Sequence, residues 1–211
     1  GQPVSGGPND TSVGEISVKT GNNARNGGKN SLNRLIRCVC GKKIGPDPRN
    51  FNQRVSLGRN DLLIRTFPNS GYVFVDFSRY NIRLFTNDKW IEYLIKTGLR
   101  IVLIADRLAQ PLALYWKHRC QQILSIIYTS DTRNEIERKI HLSFLGQKDG
   151  RGYRQKLSAQ EVLVLDLLLA EKSVKEIAQE LQMAEKRIYA IKLSLQNKMG
   201  GRGKLNIILS G

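Results

Sequence analysis

The sequence predicts an α/β domain with a partly parallel sheet and flanking helices, joined to a separate all-helical unit. Three observations predict it. Between residues 61 and 145, short β-branched and apolar runs alternate with segments of helical periodicity, the pattern of βαβ units. Residues 147–156 (QKDGRGYRQK) are polar and glycine-containing, as a tether is. Beyond residue 157 apolar side chains recur at helical spacing, twice behind a Ser-x-x-Glu capping signature.

Residues 1–50 are expected to be a basic, largely flexible segment. The first thirty are rich in Gly, Asn and Ser and hold almost no large apolar side chains, too few to offset the entropy of ordering. A short apolar piece (Leu32, Leu35, Ile36, Val39) then runs into a turn at Gly45-Pro46-Asp47-Pro48.

Residues 51–146 make up the α/β domain. Residues 61–67 (DLLIRTF) read as a strand ended by Pro68-Asn69, and 72–77 (YVFVDF) as a second. Residues 87–96 are helical, because Trp90 and Leu94, and Ile91 and Ile95, recur at i, i+4 ahead of a stop at Gly98. The continuous apolar runs 100–105 (RIVLIA) and 123–128 (ILSIIY) predict strands buried on both faces. Between them residues 110–119 form a helix with Pro111 in its first turn. A last helix spans 131–145, capped by Asp131 or Thr132, with Ile136, Ile140 and Phe144 on one face.

The net charge is +16, from 34 basic and 18 acidic side chains, which favours a polyanionic partner without naming one. Residues 157–211 carry eight basic against six acidic side chains, so a nucleic-acid reading of that unit rests on its pattern. No apolar run approaches the ~18 residues of a membrane span, and none opens the chain as a signal peptide would. With only three cysteines, the expected location is a reducing cytoplasm, away from membranes.

In the C-terminal unit, Ser158 caps a first helix with Glu161 completing the box, and Val162, Leu165 and Leu169 share a face. Ser173 caps a second, with Glu176 at the third position and Ile177, Ala178 and Leu181 inside. A turn at Gln182-Met183 leads to a third helix over 185–198, held by Ile188, Ile191, Leu195 and Met199 and stopped at Gly200. A short helix, a tight turn and a longer helix is the geometry that places the last of them in a major groove. Its outer face offers Lys186, Arg187, Tyr189, Ala190, Lys192 and Leu193: cations for phosphates, and short or aromatic side chains for base edges and thymine methyls.

This stretch resembles the LuxR/GerE-type helix-turn-helix domain of bacterial transcription regulators. The resemblance runs through Leu157-Ser158, Glu161, Val164-Leu165, Ser173-Val174-Lys175-Glu176-Ile177-Ala178, Leu181, Glu185-Lys186, Ile188 and Lys198-Met199-Gly200. It implies four helices, the third reading DNA and a fourth, at about residues 204–209, making dimer contacts. Arg187, Tyr189, Ile191 and Ala184 depart from the family's usual Thr, Lys, His and Ser, which alters the groove-facing set and hence the base preference.

The α/β half, placed before such a domain, resembles the second half of a response-regulator receiver, and more closely the degenerate receivers of enterobacterial fimbrial and capsule regulators. A receiver's phosphoacceptor aspartate would fall at Asp76. The chemistry also needs an acidic pair for Mg²⁺, a hydroxyl after the next strand and a lysine after the last. Here the strands end in Ile104-Ala105-Asp106 and Tyr128-Thr129-Ser130, and no adjacent acidic pair precedes Asp76. Asp76 therefore reads as a relic or a structural turn residue.

Cys38-Val39-Cys40 and His118-Arg119-Cys120 are spaced too closely for ordinary zinc pairs and sit in or beside apolar segments, so they read as inert thiols. His141 reads as a surface residue. No Gly-rich phosphate loop or nucleophile–base pair supports catalysis, and neither cofactor nor metal is expected. The expected function is a sequence-specific, phosphorylation-independent regulator. Its expected partners are double-stranded DNA, a second copy or a related regulator, and RNA polymerase. The competing readings are an auxiliary regulator that binds DNA only as a heterodimer, a phosphorylation-switched regulator, and a sigma-factor-like promoter module. Lys186, Tyr189, Ala190 and Leu193 are expected nearest the bases, and Lys175, Arg187 and Lys192 at phosphates.

Overall fold

A computed structural model describes residues 10–13, 16–20, 52–57, 60–67, 71–149 and 155–210. Seven strands form one sheet in sequential order: β1 (Asp10–Val13), β2 (Ile16–Thr20), β3 (Asn52–Leu57), β4 (Asn60–Phe67), β5 (Tyr72–Phe77), β6 (Arg100–Ala105) and β7 (Ile123–Tyr128). The first five pair antiparallel, and β5, β6 and β7 pair parallel.

Two points differ from the sequence expectation. Composition argues against regular structure before residue 30, yet β1 and β2 lie there. They are short, and sheet pairing supplies the backbone hydrogen bonds that their side chains could not motivate. The strand at 61–67 is present but belongs to no βαβ unit. Only residues 68–71 separate β4 from β5, too few for a crossover, and the pair is antiparallel in register Ile64↔Val75 to Phe67↔Tyr72. Cys38 and Cys40 lie outside the described residues.

The parallel strands are buried on both faces, as their unbroken apolar runs require. One face carries Val73, Val75 and Phe77 against α1 (Lys89–Thr97) and α2 (Gln110–Arg119). The other carries Tyr72 and Phe74 with Val102, Ile104, Leu124 and Ile127 against Ile136 and Ile140 of α3 (Arg133–Phe144). Helix α1 stops where Gly98 adopts φ +68°, a left-handed cap whose N–H reaches Ile95 O. Thr132, not Asp131, caps α3: its side chain accepts from Glu135 N, while Asp131 accepts from Tyr128 N and from the buried Lys139 ammonium at 2.6 Å. Cys120 is buried and His141 exposed. The start of the expected tether is pinned, since Asp149 N donates to Leu124 O and Lys148 Nζ to Lys117 O.

A 3₁₀ segment, Arg79–Phe85, follows β5, and Phe85 stacks on Phe77 with ring centroids 3.9 Å apart. Trp90 stands edge-on to Phe85 and Trp116, and Trp116 Nε1 donates to Phe85 O at 2.7 Å. From here the apolar core continues into the C-terminal unit through Leu157, Val162, Leu165, Leu169, Met199, Leu205 and Ile208. That unit consists of α4 (Ala159–Leu169), α5 (Val174–Leu181), α6 (Glu185–Lys198) and α7 (Arg202–Ser210), the last slightly longer than expected. Two polar contacts fix the junction: Leu157 N donates to Pro111 O at 3.0 Å and Thr86 Oγ1 to Asp166 Oδ1 at 2.6 Å. No helix among the described residues is long and apolar enough to cross a membrane.

Candidate nucleic-acid interface

Both capping boxes form as the Ser-x-x-Glu spacing predicts. Ser158 accepts from Glu161 N, Ser173 from Glu176 N, and each glutamate reaches back to its serine's N–H. These caps fix where α4 and α5 begin. Gln182, at φ +55°, then turns the chain from α5 toward α6 in a conformation that non-glycine residues adopt at some cost. Val164, Ile177, Ala178, Ile188 and Ile191 pack the three helices together, so the Ile191 departure from the usual residue serves the core.

Glu161 has a second role that the sequence reading missed. It is only 4% exposed, and its carboxylate accepts from Lys198 Nζ at 2.6 Å and Ser194 Oγ at 2.9 Å as well as from Ser158 N. Burial alone would raise its pKa, but the hydrogen bonds from Lys198, Ser158 and Ser194 outweigh burial and hold it below the ordinary glutamate value. The bridge ties the first turn of α4 to the end of α6 and so sets the angle of the latter. Glu161 and Lys198 were both legible as motif residues, but nothing in a separation of 37 positions announces that they pair.

The remainder of α6 presents the face expected to meet DNA. Lys186, Arg187, Tyr189, Ala190 and Leu193 are exposed, Tyr189 to 60% and Leu193 to 58%, and Lys192 is half-buried. Arg187 Nη2 donates to Gln160 Oε1 of α4 at 3.2 Å, which draws its guanidinium toward the N-terminus of α4. Lys175 is exposed in the first turn of α5. These six exposed groups and Lys192 all stand on the helix pair α5–α6, whereas among the described residues the apolar contact with the N-terminal domain runs through α4, α7 and the inner end of α6 at Leu195 and Met199. Ala184 caps α6 without a side-chain hydrogen bond, as its lack of a hydroxyl dictates.

Asp76 lies apart from this face. It is not a turn residue but the fifth residue of β5, paired in register with Ile104 and 3% exposed. Asn81 Nδ2 approaches its Oδ2 at 3.4 Å. Burial, tempered by the Ser78 hydroxyl and reinforced by nearby Asp106, pushes its pKa up to about 7.

Residues 155–210 match the family described as bacterial regulatory proteins, luxR family. Residues 51–144 match the EcpR N-terminal domain. The LuxR-family match spans all four helices described above, and the EcpR match spans the sheet from β3 to α3. Among curated relatives, the uncharacterized protein YqeH of Escherichia coli K12 is 35% identical over 133 residues, which are 63% of each chain. The Vi polysaccharide biosynthesis protein TviA of Salmonella typhi is 23% identical over 74% of this chain and 84% of its own. The aligned region thus spans less than two thirds of the first relative. A solved complex of the two-component response regulator RcsB with DNA aligns at 21% identity and TM-score 0.36, covering 57% of this chain and 64% of that one.

Proposed function

We propose that the chain is a sequence-specific DNA-binding transcription regulator, cytoplasmic, acting as a dimer and without aspartyl phosphorylation. One observation carries it: in a LuxR-family helix-turn-helix, the outer face of α6 keeps Tyr189 and Leu193 exposed beside Lys186 and Arg187, while the N-terminal domain packs elsewhere. In this reading Lys186, Tyr189, Ala190 and Leu193 meet base edges, and Lys175, Arg187 and Lys192 meet phosphates.

Phosphorylation independence is supported by the surroundings of Asp76. Ala105 and Asp106 occupy the place of the hydroxyl that a receiver needs, and Thr129-Ser130 that of its lysine. Dimerisation through α7 is supported by Ile207, 45% exposed on that helix.

The test is genome-wide immunoprecipitation from native cells, beside an Arg187→Ala/Lys192→Ala variant. Discrete peaks that share a two-fold sequence element and vanish in the variant are expected. Peaks unchanged in the variant would overturn the assignment, and binding restored only by a second LuxR-family protein would identify an auxiliary regulator.

A further inference from the structure

A cleft of about 820 Å³ opens where the carboxyl ends of β5, β6 and β7 face the α6–α7 turn. The carboxyl edge of parallel strands is where open α/β sheets hold ligands, because the backbone there is splayed and helix N-termini converge. The size is that of a pocket for a molecule of mononucleotide dimensions. Its walls come from two domains: Asp76, Ser78, Arg79 and Arg107 on one side, Lys198 and Lys204 on the other.

The charge of this cleft is lopsided. Four cationic side chains face two carboxyls, Asp76 and Asp106. Asp106 is engaged as a cap, accepting from Ala109 N and Arg79 N, each at 3.0 Å. Asp76, with its pKa near 7, is about half protonated in neutral solution, and in that form it can donate. The Ser78 hydroxyl is buried beside the Asp76 carboxyl, whose pKa it acts to lower. Arg107 lies over the Tyr128 ring at 4.0 Å with Nη2 3.3 Å from Asp131, so its guanidinium is held in place at the rim. Lys198 is paired with Glu161 and closes the far wall. Among the described residues the Arg79 guanidinium is engaged by its neighbour Tyr80, and Lys204 is exposed, so these two cations on opposite walls can turn inward.

We propose that this interdomain cleft is a binding site for a small organic phosphate, with the phosphate held between Arg79 and Lys204 and the Ser78 hydroxyl on its floor. Forked guanidinium donors suit phosphate oxygens, and a lysine across the cleft supplies a point charge. Because the two cations belong to different domains, occupancy favours the docked arrangement over any separated one. The site is distinct from the α6 face and does not depend on its reading DNA.

The experiment is calorimetric titration of the full chain, without DNA, using adenosine monophosphate and inorganic pyrophosphate as probes and adenosine as the uncharged control. Saturable one-to-one binding of a phosphate-bearing probe, with adenosine silent, is expected. The Arg79→Gln/Lys204→Gln variant, checked for an unchanged melting temperature, should weaken it by at least about tenfold, whereas Lys96→Gln on α1 should not. No saturable binding of either probe up to about 10 mM, or equal affinity in the double variant, would overturn the proposal.

Discussion

The Thr86 hydroxyl donates to the Asp166 carboxylate at 2.6 Å, and this one hydrogen bond joins the loop before α1 to the middle of α4 across the domain junction. Thr86 is buried and Asp166 partly so, which places the bond in a poorly solvated seam. A hydrogen bond to a charged acceptor in such a place is stronger than a neutral one. Thr86→Val keeps the shape and removes the donor, leaving the carboxylate half-buried without it. The expected loss is about 1–2 kcal/mol of docking, and so a roughly five- to thirtyfold faster amide exchange in α7. Unchanged protection of Leu205 and Ile208 would contradict the role given to this bond.

Asp76 makes stability depend on pH in the direction opposite to a salt-bridged carboxylate. Its pKa is pushed from 3.8 in the unfolded chain to about 7 by burial, eased by Ser78 and raised further by Asp106. The folded state therefore binds more protons than the unfolded one between these values. Stability is fully present below about pH 3.8, falls as pH rises, and reaches its floor above about pH 7. The penalty at pH 8 is on the order of 4 kcal/mol, from about three units at 1.36 kcal/mol each. Asp76→Asn should raise the melting temperature by several degrees at pH 8 and by much less at pH 5. Equal gains at both pH values would mean that the carboxyl is not titrating where the structure puts it.

Glu161 behaves in the ordinary sense. Its folded pKa lies below the unfolded value of 4.5, so its contribution is present above that pH and lost as pH falls through the folded pKa. Glu161→Gln keeps the bond from Ser158 N but takes the charge away from Lys198. We expect about 1–2 kcal/mol of destabilisation at pH 7, converging on wild type in acid, as read from chemical denaturation of the full chain. A constant difference across the range would assign the loss to packing.

The local signals were legible and the long-range ones were not. Ser158, Ser173 and Gly98 mark element ends because capping is a contact over three or four residues, and all three cap as their spacing predicts. The apolar runs of β6 and β7 gave both strands to the residue, since burial on two faces leaves no other pattern. Strands β1 and β2 escaped because the composition of their segment carries no strand signal, while pairing with β3 is a long-range contact. The strands β4 and β5 are both legible, but their antiparallel pairing is not, because periodicity carries no strand direction. At the candidate interface the exposed α6 residues followed from helical spacing. The Glu161–Lys198 bridge and the Arg187–Gln160 bond, which orient that helix and one of its cations, join residues 37 and 27 positions apart and depend on the tertiary angle.

That angle is what separates the side chains of α6 into two measurable classes. Tyr189 and Leu193 are a turn apart on its exposed face and bring ring and methyl surface without charge, so they can discriminate bases but hardly attract phosphates. Lys192 is half-buried, and its long side chain lets the ammonium reach the backbone of the duplex. Tyr189→Ala and Leu193→Ala should therefore leave stability within about 0.5 kcal/mol of wild type and the salt dependence unchanged. Each should lose about 1–3 kcal/mol on the selected operator alone, with relaxed preference at one or two positions in a randomised-site selection. Lys192→Ala should weaken all sequences alike and reduce the salt slope by about 1. If Lys192→Ala instead altered preference while Tyr189→Ala weakened every site equally, α6 would lie in the groove rotated from the face described here.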